Sequence, residues 1–259
     1  MKKSTLSGVS IFAGLLLITV LATQAYAFEI GVRGYYWFPD LKAELKVDKG
    51  GLTGTQFDVK NELGIGNESF PSVEVYGGVG KHHFSVMYTQ FHYSGDRTIT
   101  RSINFAGKTF TAGTRVESDL ETKMLDIEYQ YDLLNMENIL AGFSLGVIGK
   151  IKYFDGEASL KSSALGAVKE TFAAPVPMVG IGAHIGLLAN ILEARAKIAG
   201  IGYSGSVFYD ALADISVTPF PFLDIHGGYR IMKLKIDNVS DFYGDLEFAG
   251  PYVALTVGF

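Results

Sequence analysis
The chain has no cysteine among its 259 residues. Disulfides and thiolate metal sites are therefore excluded. Beyond residue 27 it has no long uninterrupted apolar run, which excludes helical membrane spans. It has no excess of positive charge. The net charge is −5, and it becomes more negative if Lys2 and Lys3 are removed, which argues against a nucleic-acid partner. Known catalytic signatures are missing as well: no G-x-S-x-G elbow, no H-E-x-x-H and no glycine-rich phosphate loop with its lysine.

What is present is apolar and aromatic: 48% of residues are hydrophobic, with 14 Tyr and 18 Phe. An apolar composition without a spanning helix fits alternating strands, in which no window is strongly hydrophobic. The N-terminus carries Lys2 and Lys3, an apolar core densest from Ile11 to Leu21, and then Ala25-Tyr26-Ala27. This pattern predicts a secretory signal peptide over residues 1–27, cleaved between Ala27 and Phe28. The core is short for an uncleaved anchor, since a span needs about 20 apolar residues. The mature domain is then 28–259, a length that suits one domain.

Period-2 alternation predicts about ten strands, with eight or twelve as the alternatives. They are Phe28–Phe38, Ser72–Gly80, His83–Tyr93, Asp119–Asp132, Ile139–Phe154, Val176–Leu188, Ile191–Tyr203, Val207–Thr218, Phe222–Ile236 and Leu246–Phe259. The clearest is Asp119–Asp132. Leu125, Ile127, Tyr129 and Tyr131 lie on one face; Asp126, Glu128, Gln130 and Asp132 lie on the other. The last strand puts Val253, Leu255 and Val257 on one face, and runs from Tyr252 to a C-terminal Phe259.

An alternating segment that ends on an aromatic carboxy-terminus resembles the closing strand of Gram-negative outer-membrane β-barrels. The resemblance covers the whole mature length. It implies an all-β fold, a closed antiparallel transmembrane β-barrel in the cell outer membrane. It also implies contact with outer-membrane lipid and lipopolysaccharide, and delivery to the barrel-assembly machinery through the C-terminal strand. Phe57-Asp58-Val59-Lys60-Asn61-Glu62-Leu63-Gly64 resembles a recurrent first-loop segment of uncharacterised proteobacterial barrels.

An open sheet is excluded in lipid, because every unpaired edge group costs several kcal/mol, roughly. Apolar faces then point to lipid and charged faces to the lumen. Short links at 80–82, 133–138, 189–190 and 219–221 are expected to be periplasmic; longer ones at 39–71, 94–118, 155–175 and 237–245 extracellular. The link at 203–206 is short for its side. At Pro251 a bulge is expected, or a strand portion above the membrane, and the poorer alternation of the third strand allows a bulge there too. Tyr35-Tyr36-Trp37-Phe38 reads as part of an outer aromatic girdle. The mixed charges of 39–71 read as a solvated extension rather than a calcium or lipopolysaccharide site, since no EF-hand spacing appears.

The predicted lumen set is Glu29, Arg33, Asp126, Glu128, Glu193, Arg195, Lys197, Asp210, Asp214, Asp224, His226 and Arg230. In a narrow barrel these charges must pair across strands. Ten strands lie near the filled end of the size range, so a pore would pass only ions or small polar solutes. The leading function is a non-enzymatic integral barrel, structural or a narrow passive pore, with no cofactor or metal. The alternative is a rim-active hydrolase using His92, or using His226 with Asp224.

Overall fold
A computed structural model describes residues 28–47, 56–136, 142–188, 191–239 and 242–259. The signal peptide with Ala27, the start of the fifth predicted strand at Ile139, and the turn at 189–190 lie outside these residues. Strands are numbered in chain order: β1 (Phe28–Trp37), β2 (Asp40–Val47), β3 (Phe57–Asp58), β4 (Phe70–Val79), β5 (His82–Thr98), β6 (Ile103–Phe105) and β7 (Lys108–Phe110). Then come β8 (Arg115–Asn135), β9 (Phe143–Ser162), β10 (Gly166–Leu188), β11 (Leu192–Tyr203), β12 (Ser206–Phe220), β13 (Leu223–Val239) and β14 (Phe242–Gly258). A short helix, α1, spans Val59–Leu63.

Ten of these strands form a closed antiparallel barrel in the order β1-β4-β5-β8-β9-β10-β11-β12-β13-β14, and β14 returns to β1. In the seam Val32 lies opposite Val257 and Trp37 opposite Tyr252. The Ile30 amide donates to the Phe259 carbonyl at 2.8 Å. The closing strand therefore pairs as its alternation requires.

The strands are longer than their apolar segments. A spanning strand needs only about 9–11 residues, yet β8 has 21 and β10 has 23. Outward apolar residues occupy the half nearer the termini, and charged ones the half beyond. Much of the expected loops at 94–118 and 155–175 is therefore strand, continuing β5, β8, β9 and β10 past the membrane. Both faces of those stretches depart from a lipid pattern, which hides them from a hydropathy reading. The 203–206 link is a two-residue hairpin, with Ser204 and Gly205 at φ 49° and 83°.

Neither bulge is present. β5 pairs with β4 and β8 without a register shift, so its weak alternation reflects its passage out of the apolar band. Pro251 also sits in unbroken register. Trp37 opposes Tyr252, and β2 resumes with Asp40 opposite Ala249, so no residue is inserted. The missing proline donor is absorbed by a gap in the ladder. Phe38 donates to the Pro251 carbonyl at 3.0 Å, and the return bond cannot form. Gly250 lies against the Phe38 carbonyl so closely that a Cβ there would collide with it.

The first-loop segment is ordered by its own chemistry. Asp58 caps α1 by accepting from the Asn61 amide at 2.8 Å, and Gly64 closes it at φ 70°. Val59 and Leu63 are buried with Trp37, Leu41, Phe91 and Ile103 in one hydrophobic cluster. The β6–β7 hairpin turns at Ala106-Gly107, both at positive φ, and adds Ile103 and Phe110 to that cluster.

Candidate functional site
Alternation along each strand sends one set of side chains inward, and the barrel divides that set into two zones. Near the termini the inward residues are charged. All twelve residues of the predicted lumen set point inward, and Glu74, Lys150 and Lys152 join them. Lys152 is fully buried, with Nζ at 2.5 Å and 2.7 Å from the Asp126 carboxylate and 3.0 Å from Asp210. Arg230 makes a two-point contact with Asp210 at 2.7 Å and 3.0 Å. Its guanidinium also lies 5.1 Å from the Trp37 ring centroid. Lys150 and Lys197 share Glu128 at 3.1 Å and 2.6 Å. Arg33 bonds Glu74 at 2.8 Å, and Tyr35 donates to the same carboxylate at 2.7 Å. Arg195 bonds Asp214 at 2.6 Å, and Tyr252 donates to Asp214 as well.

The charged zone ends at one level. The next inward residue after Tyr35, Asp126, Lys152, Asp210 and Arg230 is Trp37, Met124, Phe154, Phe208 and Met232 respectively. Beyond it the lumen is filled by the hydrophobic cluster. Trp37 is 2% exposed and its indole donates to the Gly250 carbonyl at 3.2 Å. Half of the expected girdle cluster therefore faces inward: Tyr35 and Trp37 belong to the interior, while Tyr36 and Phe38 are exposed. Tyr88, Tyr153 and Tyr229 are outward too, near the upper limit of the apolar band on their own strands.

A cavity of about 320 Å³ lies below the charged layer, at the terminus-bearing end. Glu29, Asp132, Glu193 and Asp224 line its end nearer the termini, with Asp132 buried. His83, on the inward face of β5, bridges Glu29 at 2.6 Å and Asp132 at 3.0 Å. His184 meets Glu193 at 3.1 Å. Its deep wall is formed by Arg33, Glu74, Glu128 and Arg195.

The candidate catalytic groupings assemble differently from expectation. His226 is buried, against Thr256 at 2.8 Å and Asp214 at 3.4 Å. Asp224 instead accepts from the Thr218 hydroxyl at 2.6 Å. Sharing a strand face two residues apart does not make them partners, because cross-strand neighbours come closer. His92 stands on the outer wall above Tyr88, with its two ring nitrogens 3.6 Å from Asp119 and 3.5 Å from Glu121. These three residues also form the one grouping with metal-ligand spacing among the described residues.

Above the membrane level several exposed carboxylates have cationic partners. Asp40 accepts from Lys60 at 2.8 Å, which holds its carboxyl below the usual range. Lys42 bonds Glu247 at 2.9 Å and lowers that carboxyl likewise. Arg115 does the same for Asp96. Glu62 joins α1 to the next loop through Thr100 and Arg101, each at 3.0 Å.

Glu74, Lys150 and Lys152 were legible in part. Each lies on the charged face of an alternating strand, and the two lysines stand two residues apart among Ile148, Ile151 and Tyr153. The inward aromatics gave no such signal, since Tyr and Trp serve both faces.

No family model matches the chain, and no curated protein matches it. The fold is similar to that of the outer membrane protease OmpT from Escherichia coli. Identity is 10% and the TM-score 0.59, over 92% of this chain and 99% of that one. Neisserial surface protein A matches at 12% identity and TM-score 0.34, over 91% and 100% of the two chains. Ail of Yersinia pestis matches at 10% and 0.37, over 90% and 99%. The chain thus has the fold of a Gram-negative outer-membrane β-barrel protein.

Proposed function
We propose that the protein is a non-enzymatic, structural outer-membrane barrel whose lumen is closed to solutes. The observation that carries this reading is the stack of two interior zones. A layer of paired charges around Asp126, Lys152, Asp210 and Arg230 is 0–5% exposed. Directly above it the hydrophobic cluster occupies the lumen. An ion would have to separate buried pairs and then cross a dry segment, and burying an unpaired charge is costly. A narrow passive pore is therefore the weaker of the two non-enzymatic readings. The test is planar-bilayer conductance of the refolded protein. No unit current is expected at moderate voltage, and discrete current steps would overturn the closed barrel.

In the same reading residues 1–27 are removed after Ala27, and the strand ending at Phe259 is what the assembly machinery engages. The outer face above Tyr36 and Tyr88 meets lipopolysaccharide. The rim hydrolase remains the second reading, on the single observation that His92 is bracketed by Asp119 and Glu121. Loss of a peptide- or lipid-cleaving activity in His92→Ala would favour it.

A further inference from the structure
We infer that His92, Asp119 and Glu121 form a binding site for a divalent first-row transition ion of the zinc class, on the outer wall above the membrane. The inference concerns the outside of the barrel and does not depend on whether the lumen is closed.

Placement is the first argument. β5 and β8 pair without a register shift, which sets His92 opposite Glu121 and Ser94 opposite Asp119. The three side chains point outward and are about half exposed. His92 lies four residues beyond Tyr88, about 13 Å along the strand, among charged outward residues of β8 and β9. Ligands carried by two paired strands are held more rigidly than ligands on a loop.

A second argument comes from what these groups do not bond. The chain has five histidines. Four have a ring nitrogen at hydrogen-bond distance from a partner: His82 from Tyr129 at 2.8 Å, His83 from Glu29 at 2.6 Å, His184 from Glu193 at 3.1 Å and His226 from Thr256 at 2.8 Å. His92 has none. Its nitrogens stand 3.6 Å from Asp119 and 3.5 Å from Glu121, too long for hydrogen bonds. The carboxylates are set apart in the same way. On this wall Glu117 is paired with Lys161 at 2.8 Å, Glu157 with Lys169 at 2.6 Å, and Asp96 with Arg115. Among the described residues no lysine or arginine lies at ion-pair distance from Asp119 or Glu121. Lys169, whose field reaches both, is held on Glu157.

The spacing fits an ion held between the groups. Donors about 2.0–2.1 Å from a tetrahedral zinc ion are about 3.3–3.5 Å from each other. The two separations at His92 lie close to that value. One ion takes one ring nitrogen, and one donor atom from each of the three residues lies within 4.8 Å of the other two. Turning the exposed side chains closes the rest. An ion binding there displaces any proton from the imidazole, so the site does not need a neutral His92 beforehand. The donor set also selects the ion. Imidazole nitrogen suits zinc, copper and nickel, whereas magnesium and calcium seek oxygen donors. Three protein donors leave one tetrahedral position open to the outside.

The test is calorimetric titration of the refolded full barrel, freed of any affinity tag, in detergent micelles with zinc chloride. Saturable binding of one zinc ion per barrel is expected. His92→Ala should weaken it at least about tenfold, since even loss of an outer-shell group costs about 10–100-fold. Asp119→Asn with Glu121→Gln should do the same. His82→Ala removes an exposed imidazole at the other end of the outer wall and should leave the affinity unchanged, as should equimolar magnesium chloride. All these side chains lie on the outer wall, and a heat-modifiable gel shift checks that each variant is closed. X-ray absorption at the zinc edge of the loaded barrel should show one imidazole among oxygen neighbours. Absence of saturable binding would overturn the proposal. So would unchanged affinity in His92→Ala, equal loss in His82→Ala, displacement of zinc by equimolar magnesium, or a zinc shell with two imidazoles.

Discussion

The two halves of the lumen solve the same packing problem with opposite chemistry. The half nearer the termini is filled by ion pairs, and Lys152 there is as buried as any leucine. The half beyond is filled by Trp37, Phe91, Met124, Phe208 and their neighbours. Both halves use inward residues of the same strands, so strand geometry did not choose between them. Their surroundings differ. The charged half lies behind the apolar outer wall, where lipid covers the outside and no water reaches the sheet from that side. The apolar half lies behind a charged outer wall, beyond the membrane, and is built like the core of a soluble sandwich. A strand that passes from one to the other exchanges its faces: apolar-out and charged-in becomes charged-out and apolar-in.

The contrast is broken most forcefully in the charged half. Asp210 serves Lys150, Lys152 and Arg230 together, and Asp210→Ala should cost about 3–5 kcal/mol by leaving buried cations unpaired. Lys152→Met should be similarly harmful alone. Adding Asp126→Leu should recover most of that loss, since removing both partners of a buried pair is often neutral. Denaturant titration of the folded barrel in lipid vesicles measures both, and failure of the double variant to recover would mean that the pairs are more than space-filling.

In the apolar half, Met124→Ala should cost about 2–5 kcal/mol through the cavity it leaves. Loss of the plug should also raise bilayer current in that variant if the hydrophobic cluster is the seal; an unchanged silent trace would assign the seal to the charged layer. At the boundary, Gly250→Ala forces a methyl group into the Phe38 carbonyl, and about 1–3 kcal/mol is expected, as for other overpacked sites.

The smallest effect concerns pH at the outer end of the β14–β2 seam. Lys42 and Lys60 depress the carboxyls of Glu247 and Asp40 below their ordinary values of 4.5 and 3.8. A depressed carboxyl contributes stability above its unfolded value and loses it as pH falls toward the folded one. Amide protection factors in β2, corrected for the intrinsic exchange rate at each pH, should therefore fall below about pH 4.5 while those in β8 hold. These pairs are exposed and weak, so the global midpoint should hardly move.

Much of this contrast was legible in the chain, and for local reasons. Asp126, Glu128, Gln130 and Asp132 alternate with Leu125, Ile127, Tyr129 and Tyr131, and period 2 assigns such residues to faces without knowledge of neighbours. The closing strand was readable for the same reason. Where both faces changed character at once, at 94–98 and 166–175, the alternation gave no apolar stripe and the strands were hidden. Tyr35 and Trp37 could not be assigned because aromatic rings suit a lipid interface and a core equally. His226 could not be matched to Asp214, since nearness along the chain pointed to Asp224.

The amino-acid sequence by itself determined a closed sheet of alternating strands, the face that each clear strand turns inward, and the acidic and basic groups available inside. Those properties follow from a two-residue period and from the cost of open sheet edges in lipid. Only the tertiary structure decided which charges meet and where the lumen closes. Lys197 reaches Glu128 across 69 positions of chain, and four different strands bring Glu29, Asp132, Glu193 and Asp224 to one cavity. Contacts of that kind depend on barrel radius and stagger, which are properties of the closed ring and not of any one strand.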